Sequence, residues 1–121
     1  MKQKNIVQEF RSYRAAMNQK IIESNNIPLK RLYSLDSLTY QNSAIDAATK
    51  EMLGLCASLV LRCDDCVRYH LEKCMELGIT KPQIFDIFAV GSVVGGTITI
   101  PHIRRGLEYW EALENFEQKK A

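Results

Sequence analysis

Apolar residues recur every three or four positions along nearly the whole chain, and turn-forming residues divide them into segments. From Ile6 the repeat runs through Phe10, Tyr13, Met17 and Ile21, with Arg11, Arg14, Gln19 and Lys20 between them, which predicts a first amphipathic helix. Asn25-Asn26-Ile27-Pro28 ends it, because Asn favours turns and proline disfavours a helical residue before it. Residues 26–35 are then expected to be a connector, followed by a short helix over about 37–41 and a longer one over about 43–61.

The longer helix carries Glu51. Beyond it nearly every residue is apolar or small (Met52, Leu53, Leu55, Cys56, Ala57, Leu59), the pattern of a helix surrounded by protein, so Glu51 is expected to be partly desolvated. A further helix should open at residues 63–65 and close at Gly78, a residue suited to the left-handed position after a helix. Thr80-Lys81-Pro82-Gln83 has the form of a capping box with proline in the first turn. It opens a helix expected to be buried through Ile84, Phe85, Ile87, Phe88, Val90, Val93 and Val94, and broken by Gly95-Gly96. Pro101 starts a last helix with Ile103, Leu107, Trp110 and Leu113 on one face. Only residues 97–100 admit a strand. The expected fold is all-α, a bundle of about five or six helices.

With 121 residues, 46% of them apolar, one packed core and a single domain over residues 1–121 are expected. Sixteen basic residues against fourteen acidic ones give no support for nucleic-acid binding. The opening run from Met1 to Phe10 lacks the apolar stretch of a secretory signal, and no apolar run reaches the ~20 residues of a membrane span. A cytoplasmic, reducing location is the expectation. There, a close cysteine pair is more often catalytic, redox-active or metal-binding than a permanent cross-link.

Such a pair is present in Cys63-Asp64-Asp65-Cys66-Val67-Arg68-Tyr69-His70, with Glu51 twelve residues before the first cysteine. On a helix, Cys63, Cys66 and His70 fall within roughly one side of the cylinder, and Cα atoms three apart lie about 5 Å from each other, within reach of a disulfide. A thiolate is the reactive form of cysteine, and the four-residue spacing of Cys66 and His70 makes the imidazole the natural base. Glu51 could orient that ring from a neighbouring helix. The helix start favours anionic sulfur, whereas Asp64 and Asp65 oppose it.

The pattern Glu-x11-Cys-x2-Cys-x3-His, met by Glu51, Cys63, Cys66 and His70, closely resembles the alkylhydroperoxidase D-like branch of the carboxymuconolactone decarboxylase family over about residues 43–115. The resemblance implies an all-helical fold, assembly into trimers or hexamers, and thiol-dependent reduction of hydroperoxides by a dithiol partner. It also implies roles: Cys66 attacks, Cys63 resolves, and His70 with Glu51 relays protons. No cofactor, metal, nucleic acid or membrane is implied. One position departs from the pattern, since Asp65 stands where hydroperoxidase members carry a histidine. A redox-sensing or structural oligomer and a decarboxylase of a carboxymuconolactone-type acid are the competing functions.

Rival readings of single residues follow from ordinary packing. Cys63 and Cys66 could be core residues, or with His70 supply three zinc ligands, but no second Cys-x2-Cys or His pair completes an ordinary structural site. Cys74 lies about 16 Å along the helix axis from Cys63 and is expected to pack, as is Cys56. Tyr69 and Trp110 read as packing residues too. His102 is expected to cap or to contact a subunit, and Arg104-Arg105 to form a solvated face.

Overall fold

The computed structural model describes residues 5–120, except for the side chains of residues 118–120. The expectations drawn from Met1 to Lys4 fall outside these residues. The chain divides into two compact units, Met1–Gln41 and Asn42–Ala121. Among the described residues every regular element is helical, six α-helices and one 3-10 turn.

The first unit holds α1 (Ile6–Glu23) and α2 (Ile27–Thr39). The expected connector over residues 26–35 is instead the first part of α2. Asn25, at φ 60°, turns the chain, and the Asn26 side chain then accepts a hydrogen bond from the Leu29 N–H at 3.0 Å. Pro28 sits in the first turn, where its missing N–H costs nothing. The residues that end α1 therefore also begin α2, a double use of one signal. Tyr33 of α2 donates to the Asn18 side chain of α1 at 2.8 Å.

In the second unit, α3 (Ala47–Val60) packs against both α4 (Asp64–Glu76) and α5 (Lys81–Gly95), and α4 packs against α6 (Ile100–Lys120). Helix α3 begins four residues later than expected because Asp46 caps it, accepting from the Thr49 N–H at 2.7 Å. Gly78, at φ 81°, follows α4, and the Ile79 N–H returns to the Cys74 carbonyl at 3.0 Å. The capping box at Thr80 and Gln83 is formed in full. Residues 97–100 are not a strand: Thr97–Thr99 is a 3-10 turn leading into α6, with Gly96 at φ 86° making the break.

The core of this unit is built from Leu55 and Leu59 of α3, Val67, Leu71 and Cys74 of α4, Ile84 and Phe88 of α5, and Tyr109, Trp110 and Leu113 of α6. Each large side chain buried here contributes on the order of 1.5–3 kcal/mol. Helix α5 does not match the expectation of full burial. Ile84, Phe88 and Gly91 face inward, while Phe85, Val90, Val93 and Val94 are exposed in the single chain. Leu53 on α3 and Leu61 at its C-cap are exposed in the same way.

One close approach sets up the site. At Gly106 of α6 an added Cβ would sit 3.2 Å from Phe88 Cζ and 3.3 Å from Val67 Cγ1, tighter than ordinary packing. Glycine there lets α6 lie close to α4, with His102 and Arg105 in the turn just before it.

Candidate thiol redox site

Helix α4 starts at the cysteines. Cys63 is its N-cap, and its sulfur accepts a hydrogen bond from the Cys66 N–H at 3.3 Å. The preceding residue, Arg62, takes φ 60° and turns the chain out of α3 into this cap. Cys63 and Cys66 are joined by a disulfide, with Cα atoms 5.3 Å apart. The two cysteines are thus one helical turn apart. Cys63 is half-buried and Cys66 exposed in the single chain. The flanking apolar helices leave Cys66 uncovered.

Four residues beyond Cys66 on the same helix, His70 is buried, and its Nδ1 lies 3.2 Å from Oε2 of Glu51 on α3. A carboxylate only accepts, so Nδ1 carries the hydrogen of this contact, and in the neutral ring Nε2 is then the basic nitrogen. Glu51 is only 4% exposed, so the expected desolvation is nearly complete. The two side chains come from different helices and meet because α3 packs against α4.

The remaining thiols differ. Cys74 is fully buried, and burial together with the negative charge of Glu51 pushes its thiol up to about 12. Cys56 is half-buried against α5, its sulfur 3.7 Å from the position of a Cβ at Gly91. Both fit the expected packing roles. In the reduced protein, iodoacetamide at neutral pH should label Cys66 on the order of 10³-fold faster than Cys74, read by peptide mass spectrometry, with Cys74 reacting only in denaturant. Equal rates would contradict the assignment of Cys74 to the core.

A second cluster joins the start of α4 to α6. His102 Nδ1 lies 2.6 Å from Asp64 Oδ1, and Arg105 Nε donates to Asp64 Oδ2 at 2.7 Å. Arg104 and Arg105 are exposed, as a solvated face requires, and Arg105 together with His102 also holds a residue of the cysteine motif. Sequence offers little sign of it, since the partners lie 38 and 41 positions apart. Only the shared face of His102 and Arg105, three residues apart on a helix, hints at a joint role. Burial pushes the Asp64 carboxyl up, but hydrogen bonds from His102 and Arg105 and the charges of both outweigh it and hold it below its ordinary 3.8.

A depressed carboxyl stabilises the fold fully above its unfolded pKa and loses that contribution as pH falls through the lower folded value. The stability difference between the natural protein and Asp64→Asn should thus shrink as pH is lowered from about 5 to 2, measured by urea unfolding at each pH. A constant difference would mean that charge is not what Asp64 contributes.

Asp65, also between the two cysteines in sequence, pairs with Arg68 at 3.2 Å in an exposed contact one turn along α4. Among the described residues, no group of three or more His, Cys, Asp or Glu side chains is arranged to hold a metal ion, and no helix is long and apolar enough to cross a membrane.

A sequence model of the carboxymuconolactone decarboxylase family matches residues 29–109, two-thirds of the chain. The chain belongs to the carboxymuconolactone decarboxylase family. Glu51, Cys63, Cys66 and His70 are consistent with its alkylhydroperoxidase D-like branch. The crystal structure of the Thermotoga maritima protein TM1620 is similar over 93% of this chain and 98% of that one, at 41% identity and a TM-score of 0.89. A second crystal structure of TM1620 gives a TM-score of 0.87 at 41% identity over 93% of this chain and 95% of that one, and is described as a family protein with a suggested involvement in antioxidative response. A family protein of Legionella pneumophila, in its apo form, shares the fold at 17% identity, with a TM-score of 0.70 over 85% of this chain and 95% of that one. An uncharacterized Cupriavidus necator protein, H16_B0147, is 27% identical over 73 residues, 60% of this chain, and the aligned part spans 65% of that relative's length.

Proposed function

We propose that the chain is a thiol-dependent peroxidase that reduces hydroperoxides through Cys63 and Cys66. The observation that carries this reading is the exposed Cys66 one turn from an imidazole whose Nδ1 is held by a buried carboxylate. This is a nucleophile, base and orienting group in sequence. The suggested antioxidative role of TM1620 supports it.

The cycle begins with His70 drawing the proton from Cys66. The thiolate attacks one oxygen of ROOH, the O–O bond breaks, and the alkoxide takes a proton to leave as ROH, giving Cys66 sulfenic acid. Cys63 then attacks the sulfenic sulfur, expelling water and forming the Cys63–Cys66 disulfide. A dithiol protein partner reduces the disulfide and becomes oxidised in turn. Glu51 stabilises the imidazolium formed when His70 holds the proton. A reducing, cytoplasmic location fits this cycle, because it regenerates the dithiol.

The working unit in this reading is a homo-oligomer, a trimer or hexamer. Its support is the apolar surface of Phe85, Val90, Val93 and Val94 on α5, left exposed by the single chain.

The test is peroxide consumption with dithiothreitol as reductant, across hydrogen peroxide, an alkyl hydroperoxide and an aryl hydroperoxide. Turnover above the reductant-only rate, lost in a Cys63→Ser/Cys66→Ser double variant, is the expected result. A rate unchanged by that double substitution would overturn the proposal.

A further inference from the structure

Two acidic residues, Asp64 and Asp65, stand between the two cysteines in sequence, where negative charge works against a thiolate. The α4 N-terminus favours one, and the Cys66 N–H in its first turn already points at the Cys63 sulfur. Which influence prevails depends on what neutralises the acids, and the two are neutralised unequally. Asp65 makes an exposed contact with Arg68 on its own helix. Asp64 is held from another helix by two groups at 2.6 and 2.7 Å, in a half-buried setting where charge is screened less by solvent.

The tautomer is fixed by the contact itself. The Asp64 carboxylate only accepts, so the His102 Nδ1 facing it carries hydrogen, and Arg105 Nη2, 3.2 Å from the same nitrogen, is a neighbouring donor rather than a partner of it. Both groups on α6 therefore direct N–H at one carboxylate. Gly106 permits the approach that makes this possible.

We propose that His102 and Arg105 are positioning residues for the dithiol, compensating the Asp64 charge beside the sulfurs so that the start of α4 can hold a thiolate. The inference deepens the peroxidase reading of the same cysteines, but its consequence is a property of the reduced thiols and needs no peroxide. The other charged groups on the elements that carry or adjoin the pair are Arg62 before Cys63, Asp65 and Arg68 on α4, and the His70–Glu51 pair linking α4 to α3, while Arg104, next to Arg105 on α6, is exposed. Asp65 is paired with Arg68 and Glu51 with His70, whereas Asp64 is bound by His102 and Arg105.

Removal of the compensation has a direction. With Arg105→Gln, Asp64 keeps its charge and loses its cation, so the Cys66 thiol should become a weaker acid by about one pH unit. His102→Gln should act in the same direction. With Asp64→Asn no charge remains to compensate, and Arg105→Gln added to it should change nothing further. A role confined to tying α6 to α4 predicts otherwise, because Asp64→Asn would then do as much damage as Arg105→Gln.

The experiment is site-resolved iodoacetamide alkylation of the reduced full chain over pH 5–10, with the modification of Cys66 read by mass spectrometry and helicity checked by circular dichroism. The expected result is a midpoint for Cys66 raised by about one unit in Arg105→Gln and in His102→Gln, but not in Asp64→Asn or Asp64→Asn/Arg105→Gln. An equal shift from Arg105→Gln with and without Asp64, or no shift in either background, would overturn the proposal. Failure of the chain to consume peroxide would count against the peroxidase reading alone, and these midpoints would still decide the charge compensation.

Discussion

Cys63→Ser is expected to stop peroxide turnover after a single chemical event, whereas Cys66→Ser should prevent that event altogether. The two sulfurs are chemically alike but not equally placed. Cys66 is exposed and stands four residues before His70, while Cys63 is half-buried at the N-cap with its sulfur accepting the Cys66 N–H. Greater exposure and the four-residue helical spacing to His70 both favour Cys66 as the sulfur that a peroxide would meet first. In Cys63→Ser the sulfenic acid at Cys66 has no resolving thiol beside it and should persist, trapped by dimedone as one adduct per chain and located at Cys66. Steady-state consumption should fall on the order of 10³-fold in Cys66→Ser, with no adduct at Cys63. Turnover retained by Cys66→Ser, or a dimedone adduct at Cys63 in the natural protein, would reverse the roles. A decarboxylase of a lactone acid predicts a different pattern, since its activity should survive loss of both sulfurs.

Helix punctuation made much of this fold readable from residue order. The capping box at Thr80 and Gln83, the left-handed Gly78 and the break at Gly96 each act through a few adjacent atoms, and each is where the spacing indicates. Errors came where one local signal served two elements. Asn26 and Pro28 read as the end of α1, and they are, but the same side chain caps α2, so a helix stands where a connector was expected. The burial of α5 failed for a different reason: apolar content does not say which neighbour covers a face, and Val93 and Val94 have no cover within the single chain.

Within the site, the same division holds. Cys63, Cys66 and His70 were legible because a helix fixes their spacing, and Glu51 because its register matched a family pattern. The contact of Asp64 with His102 and Arg105 depends on how α6 crosses α4, which in turn depends on a glycine at position 106. A helical period describes one cylinder; the crossing of two cylinders comes from the packing of all the side chains between them.

The pairing of His70 with Glu51 separates chemistry from stability in a way that three variants can expose. In His70→Ala the base is lost, and a carboxylate only 4% exposed is left without its imidazole. Removal of a general base lowers a rate by about 10²–10⁴-fold, and breaking a buried pair by removing one partner costs about 3–5 kcal/mol. His70→Ala should therefore lose both activity and thermal stability, with a fall in Tm of about 10 °C or more at that cost. Glu51→Gln keeps an oxygen that can accept from Nδ1 and strands no charge, so its stability should stay near that of the natural protein. Its turnover should nonetheless fall about tenfold, because an amide stabilises an imidazolium less than a carboxylate does. The double variant His70→Ala/Glu51→Gln completes the argument. Without the stranded charge it should regain much of the Tm lost in His70→Ala, yet remain as inactive, because no base has returned. Were the double variant as unstable as His70→Ala, the lost imidazole would matter for its packing rather than for the charge it partners, and the role given to Glu51 would fall with it.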